Sequence, residues 1–109
     1  MPLDQLTEQH FIPYLQQRFT LHLSETEVID LTLIKVEPIN QSPFRAVWET
    51  ENATPRRKPF SLFFRGPAQH PLRQRMYLLK HEQLGPLADL FLTAIGADAQ
   101  GRYYEALFN

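Results

Sequence analysis

The stretch Pro59-Phe60-Ser61-Leu62-Phe63-Phe64-Arg65-Gly66-Pro67 decides the fold class. Successive side chains on a β-strand point to opposite faces, so Phe60, Leu62 and Phe64 share one apolar face and Phe63 stands on the other. Pro59 can open such a strand but, lacking an N–H, cannot sit inside a ladder. Gly66-Pro67 ends the strand sharply. A run this apolar is read as the middle strand of a sheet.

Working toward the C-terminus, residues 68–72 read as a turn region containing His70 and Pro71. Residues 76–80 form a short strand, and Gly85-Pro86 punctuates the chain after it. Periodicity alone leaves residues 87–95 open between helix and strand. Strand is favoured because residues 96–101 resemble a hairpin connection into an apolar strand at 102–108.

Toward the N-terminus, residues 44–50 read as a strand, separated from the central one by a polar, proline-containing loop at 51–58. Residues 18–23 alternate strictly, as a half-buried strand does. Residues 28–37 follow with Ile29, Leu31 and Leu33 on one parity. At Leu33-Ile34 the phase slips, since Ile34 and Val36 continue on the other parity, which predicts a β-bulge or a strand end covered on both faces. The best helix candidate is 6–17, with Thr7 as cap and Leu6 as a staple residue. Pro13 would break a backbone bond in a helix interior, so two short turns or one short helix ending near it are expected.

About seven short strands with frequent turn signals make a mainly β domain, a small antiparallel barrel or sandwich whose short N-terminal helix covers an open end or edge. No linker or repeat divides residues 1–109, which read as one domain.

The composition narrows the function classes. Eight Phe and four Tyr in 109 residues supply enough area for a real core in a small domain. Basic and acidic residues number 11 and 12, and a net charge of -1 provides no long-range field for nucleic acid or anionic lipid. There is no cysteine, so neither disulfides nor thiolate chemistry enters, which suits a reducing cytoplasm. Residues 1–4 lack the basic and apolar regions of a signal peptide, and no apolar run is long enough to span a bilayer. A soluble, cytoplasmic protein is expected.

No catalytic or metal constellation stands out. His10, His22, His70 and His81 are widely spaced, without the paired spacing of a zinc site, and read as scattered surface or strand-edge residues. Asp89 and Glu105 sit among apolar residues and read as the outward members of amphipathic strands. No serine lies in a nucleophile elbow, and the isolated glycines form no phosphate loop. No cofactor is implied. The one binding candidate is a cationic face formed by Arg56, Arg57, Lys58, Arg65, Arg73 and Arg75, close in sequence to Phe60 and Tyr77.

The series Pro59 to Pro67, then Leu72-x-Gln74-x-x-Tyr77-x-Leu79-x-His81-x-x-Leu84-Gly85, then Tyr104-Glu105-Ala106-x-Phe108-Asn109, resembles a small bacterial family of uncharacterised domains associated with phage-tail-collar-like proteins encoded nearby. The resemblance covers residues 59–109, with weaker similarity at Phe11 and Phe19-x-Leu21. It implies a structural or assembly role and carries no catalytic residues. The sequence departs from that pattern at Thr93-Ala94-Ile95, where a proline would precede the isoleucine, which bears on the geometry of the last hairpin.

Two expectations follow. The first is a non-enzymatic interaction or assembly module, an accessory of a bacterial tail-collar-like or fibre protein, with spare strand edges for a protein partner. The second is a small barrel binding an anionic ligand near Arg56, Arg57, Arg65 and Arg75.

Overall fold

Phe60, Leu62 and Phe64 are fully buried and Phe63 is only half-buried, the alternation expected of a strand with one face on the core. In a computed structural model the described residues are 6–38, 59–69 and 72–108. They form α1 (Glu8–Phe11), a single 3₁₀ turn (Ile12–Tyr14), and strands β1 (Arg18–His22), β2 (Val28–Pro38), β3 (Phe60–Gly66), β4 (Arg75–His81), β5 (Gly85–Asp98) and β6 (Gly101–Phe108).

All strand pairs are antiparallel, and the sheet closes on itself in the order β1-β2-β3-β6-β5-β4. Closure is made by a short seam between β1 and β4, with Thr20 opposite Lys80, Leu21 opposite Leu79 and His22 opposite Leu78. The described residues therefore form a six-stranded closed barrel, close to the about seven strands that the turn signals suggest. The expected strand at 44–50 lies outside the described residues. β3 is flanked by β2 and β6 along its full length, as its apolar sequence requires.

Closing a small barrel needs strands that bend and tilt, and β-bulges supply the bend. Three register shifts do this here. One falls between Leu33 and Lys35, placing Ile34 as the extra residue where the hydrophobic phase slips. A second sets Tyr77–Leu79 against Leu90–Leu87, so β5 carries the extra residue. Asp89 lies in that insertion with φ +58°, a left-handed conformation that a short polar side chain tolerates better than a branched one. The third falls between Ala94 and Gly96, which makes Ile95 the extra residue.

Alternation around the closed sheet turns Phe19, Leu21, Leu31, Leu33, Phe64, Leu79, Leu87 and Leu92 completely out of water. Each such side chain contributes about 1.5–3 kcal/mol relative to leaving it exposed. Their rings and branches fill the barrel interior; Phe19 meets Phe64 edge-on at 5.4 Å.

The N-terminal segment closes one end. Pro13 sits in the 3₁₀ turn directly after α1, so the chain makes two short turns, because a longer helix would need the N–H that proline lacks. Leu6 and Phe11 are fully buried, the staple positions on either side of the cap. Phe11 contacts Phe60 at 5.9 Å and Phe108 at 5.5 Å, so it stoppers the barrel mouth between β3 and β6. Beyond the 3₁₀ turn, Gln16 donates its N–H to the Leu33 carbonyl and Leu33 donates to that of Gln17, which fastens the plug to β2.

The end of β5 differs from the sequence reading. Residues 96–98, taken as part of a hairpin connection, belong to β5, and the turn is confined to Ala99 and Gln100. β6 holds these residues in a ladder, with Gly96 opposite Tyr103, Ala97 opposite Arg102 and Asp98 opposite Gly101. Cross-strand pairing overrides weak local strand propensity at glycine and alanine.

Candidate functional site

The features that can recognise something lie at the two ends of the barrel and on the overhang of β5. At the plugged end the centre is His81, the last residue of β4. Tyr77, Leu79 and His81 share the inward parity, so the imidazole enters the barrel end and is only 5% exposed. It lies between the rings of Tyr14, at 4.4 Å, and Phe19, at 4.6 Å. Its Nδ1 accepts the backbone N–H groups of Gln83, at 3.1 Å, and Leu84, at 3.3 Å. A nitrogen accepting two N–H bonds carries no proton, so the ring hydrogen resides on Nε2 and is donated to Gln17 Oε1 at 2.9 Å. Burial holds the imidazole below its ordinary pKa, and the Glu82 carboxylate offsets this in part. His81 is thus a buried joint, and the reading of it as a surface or strand-edge histidine is corrected. The parity of Tyr77 and Leu79, carried on two residues, was the signal that placed it inside.

His10 is also engaged. Its Nδ1 accepts the Thr7 N–H at 2.9 Å and lies 3.0 Å from the Thr7 hydroxyl, closing the first turn of α1 much as a Glu or Gln does in a capping box. His22 is half-buried on β1, and His70 lies outside the described residues. Among the described residues no group of three or more His, Asp or Glu is placed to hold a metal ion.

At the opposite end, two core tyrosines turn their hydroxyls up to the β3–β4 connection. The Leu72 N–H donates to Tyr104 Oη at 3.1 Å, and Tyr77 Oη donates to the Arg73 carbonyl at 2.8 Å. Leu72 is itself buried, and Arg102 Nε donates to the Ala68 carbonyl at 3.0 Å. Ala68, Leu72 and Arg73 are therefore tied to the barrel mouth.

The candidate cations are distributed as follows. Arg56, Arg57 and Lys58 lie outside the described residues. Arg65 is half-buried on β3, opposite Tyr103, where its charge acts on Asp98 and Tyr103. Arg73 is exposed in the β3–β4 connection, and Arg75 begins β4 with its guanidinium 4.9 Å above the Tyr77 ring. In the closed order β3 and β4 are separated by two strands on either side, so Arg65 and Arg75 rise from opposite walls. Asp89 is exposed at its bulge, whereas Glu105 is half-buried and accepts the hydroxyl of buried Ser61 at 2.7 Å.

The overhang of β5 is the feature that sequence reasoning missed. The last β4 partner on this strand is Leu92, opposite Arg75, while β5 continues to Asp98 with β6 on one side. Among the described residues no strand pairs with residues 93–98 on the other side. Ile95 is 49% exposed there, and on the adjoining outer wall Phe91 and its cross-strand partner Met76 are 42% and 59% exposed.

Fold and site together define a small closed antiparallel β-barrel with a plugged end and an overhang on β5. The chain belongs to the DUF6916 family, a domain of unknown function whose family model matches residues 6–108. Nothing in that match links it to phage-tail-collar proteins. No curated protein and no solved structure matches the chain.

Proposed function

We propose that this domain works by binding a partner protein, with the unpaired edge of β5 from Thr93 to Asp98 as the docking strip. The overhang carries the reading. Barrel closure pairs most of the described strand length, and the overhang of β5 leaves the backbone donors and acceptors on one side of residues 93–98 without a strand partner among the described residues. An exposed edge recruits an extended segment through main-chain hydrogen bonds, and neighbouring side chains then select it. Ala94, Gly96 and Ala97 keep the strip open to a close backbone, and Ile95, Phe91 and Met76 offer apolar contact beside it. The occupant is an extended, mainly apolar peptide segment of another protein. The tail-collar-like or fibre protein implied by the resemblance is a candidate source, supported by that resemblance alone.

The test pairs capture with mapping. The protein is purified from a bacterial host at native expression with any associated protein, and backbone amide exchange is measured on the complex and on the free domain. Added protection at residues 94–98, lost together with capture in an I95K/A97K double variant, supports the proposal; lysine at an edge discourages strand addition without disturbing an exposed site. V28K, placed at an exposed position on β2, is the control and keeps the partner. Equal capture by both variants, or protection elsewhere only, overturns it.

A further inference from the structure

We propose that His81 is a proton-operated latch that holds the N-terminal plug in the barrel and lets it go in mild acid.

The geometry makes the ring a three-way joint. The β4–β5 turn is held through Nδ1 by the Gln83 and Leu84 N–H groups. The segment leading out of the plug is held through Nε2 by Gln17, and the plug itself by the face of Tyr14. Phe19 on β1 closes the other side. Every one of these polar contacts uses the neutral ring with its hydrogen on Nε2. A second proton can enter only at Nδ1, where it would point at two N–H donors. Both bonds then fail. The ring must leave its slot to be solvated, and Gln17 and Tyr14 lose their anchor with it.

The surrounding charges do not rescue the cation in place. Glu82, on the turn itself, favours protonation, but burial outweighs it and the ring stays below the ordinary value of 6.5. From β1 the neighbour is Phe19 and from the 3₁₀ turn Tyr14, a neutral phenol. Gln17 is neutral, and the adjacent Arg18 is exposed and turned to Asp30 at 3.7 Å. The sign follows by linkage. The free imidazole binds a proton more readily than the latched one, so the latch is complete above about pH 6.5 and is lost as pH falls below that through the lowered value. His10 is the natural control, because its Nδ1 also accepts a backbone N–H, from Thr7. The two differ in reach: His10 closes only its own turn, whereas His81 joins residues 64 positions apart in the chain.

The test is amide exchange on the whole protein, corrected for the intrinsic pH dependence, with the His81 ring followed by NMR in the same samples. The reporters are Leu15, Gln16 and Gln17, whose N–H groups bond Ile12, Leu33 and Tyr14. Their protection is expected to fall roughly tenfold for each pH unit below the free-imidazole value while β3 and β6 amides hold theirs. In H81N the side-chain oxygen replaces Nδ1 as acceptor and does not titrate, so the pH dependence should vanish. In H10Q, which keeps a capping-box acceptor, it should persist. Protection that is unchanged in acid, that falls equally in H81N, that falls equally across the barrel, or that disappears with H10Q overturns the latch. If H81N does not fold, the wild-type protein decides: the ring and the reporter amides must share one midpoint below 6.5, and separate midpoints overturn the proposal.

Discussion

Phe60 and Phe108 are register partners on β3 and β6, and their rings stack with centroids 4.8 Å apart and planes 10° from parallel. The pair forms the floor on which Phe11 sits, so the first and last elements of the described chain meet on one aromatic platform. Phe108→Ala removes half of that platform and leaves a cavity under the plug. A loss of about 3–5 kcal/mol is expected, read from the urea midpoint at unchanged m-value.

Gly101 and Gly85 both have positive φ, at +153° and +76°, but only one is crowded. A Cβ at Gly101 would strike the Gly66 carbonyl oxygen, part of the backbone of the neighbouring strand. At Gly85 it would meet nothing within 4 Å. Gly85→Ala should therefore cost about 1–2 kcal/mol, the left-handed penalty alone. Gly101→Ala should cost clearly more, because the β3–β6 ladder must shift. Thermal unfolding of both variants gives the order, and equal losses would show that the contact at Gly101 is relieved cheaply.

Asp98 accepts the Tyr103 hydroxyl at 2.7 Å and the Gln100 N–H at 2.8 Å. The tyrosine bond, then the backbone bond, hold the Asp98 carboxyl below the ordinary range, and the same contact raises the Tyr103 phenol. A lowered carboxylate value contributes stability above its unfolded value, lost as pH falls through the folded one. Tyr103→Phe should raise the Asp98 midpoint toward that of a free aspartate in a carboxyl-detected NMR titration. An unmoved midpoint would assign the shift to the backbone donors instead.

β5 should exchange in two parts. Residues 87–92 are laddered on the β4 side, and residues 93–98 have no described partner on that edge. Amides of the overhang that point away from β6 should exchange well ahead of those of Leu87 and Leu90 in the free protein. Uniform protection along the strand would mean that the edge is already covered.

Much of the architecture was legible from local pattern. The parity of Phe60, Leu62 and Phe64 placed the core strand, because side-chain alternation is a property of the backbone itself. The slip at Leu33-Ile34 announced its bulge, and Pro13 announced the break between α1 and the 3₁₀ turn, since a missing N–H acts wherever it stands. The candidate site was less legible. Of the six cations that read as a face, Arg56, Arg57 and Lys58 lie outside the described residues, and Arg65 and Arg75 stand on strands that do not pair with each other. His81 looked like one of four scattered histidines until the turn after it and the plug folded around its two nitrogens.

Residue order alone determined a mainly β domain, the faces that β1, β2 and β3 bury and the proline-limited plug, because these depend on neighbours within a few positions. Closure of β1 onto β4, the overhang left on β5 and the burial of His81 were decided by tertiary structure. Each depends on which distant strands pair and in what register, and that choice is made by the summed burial of the whole barrel.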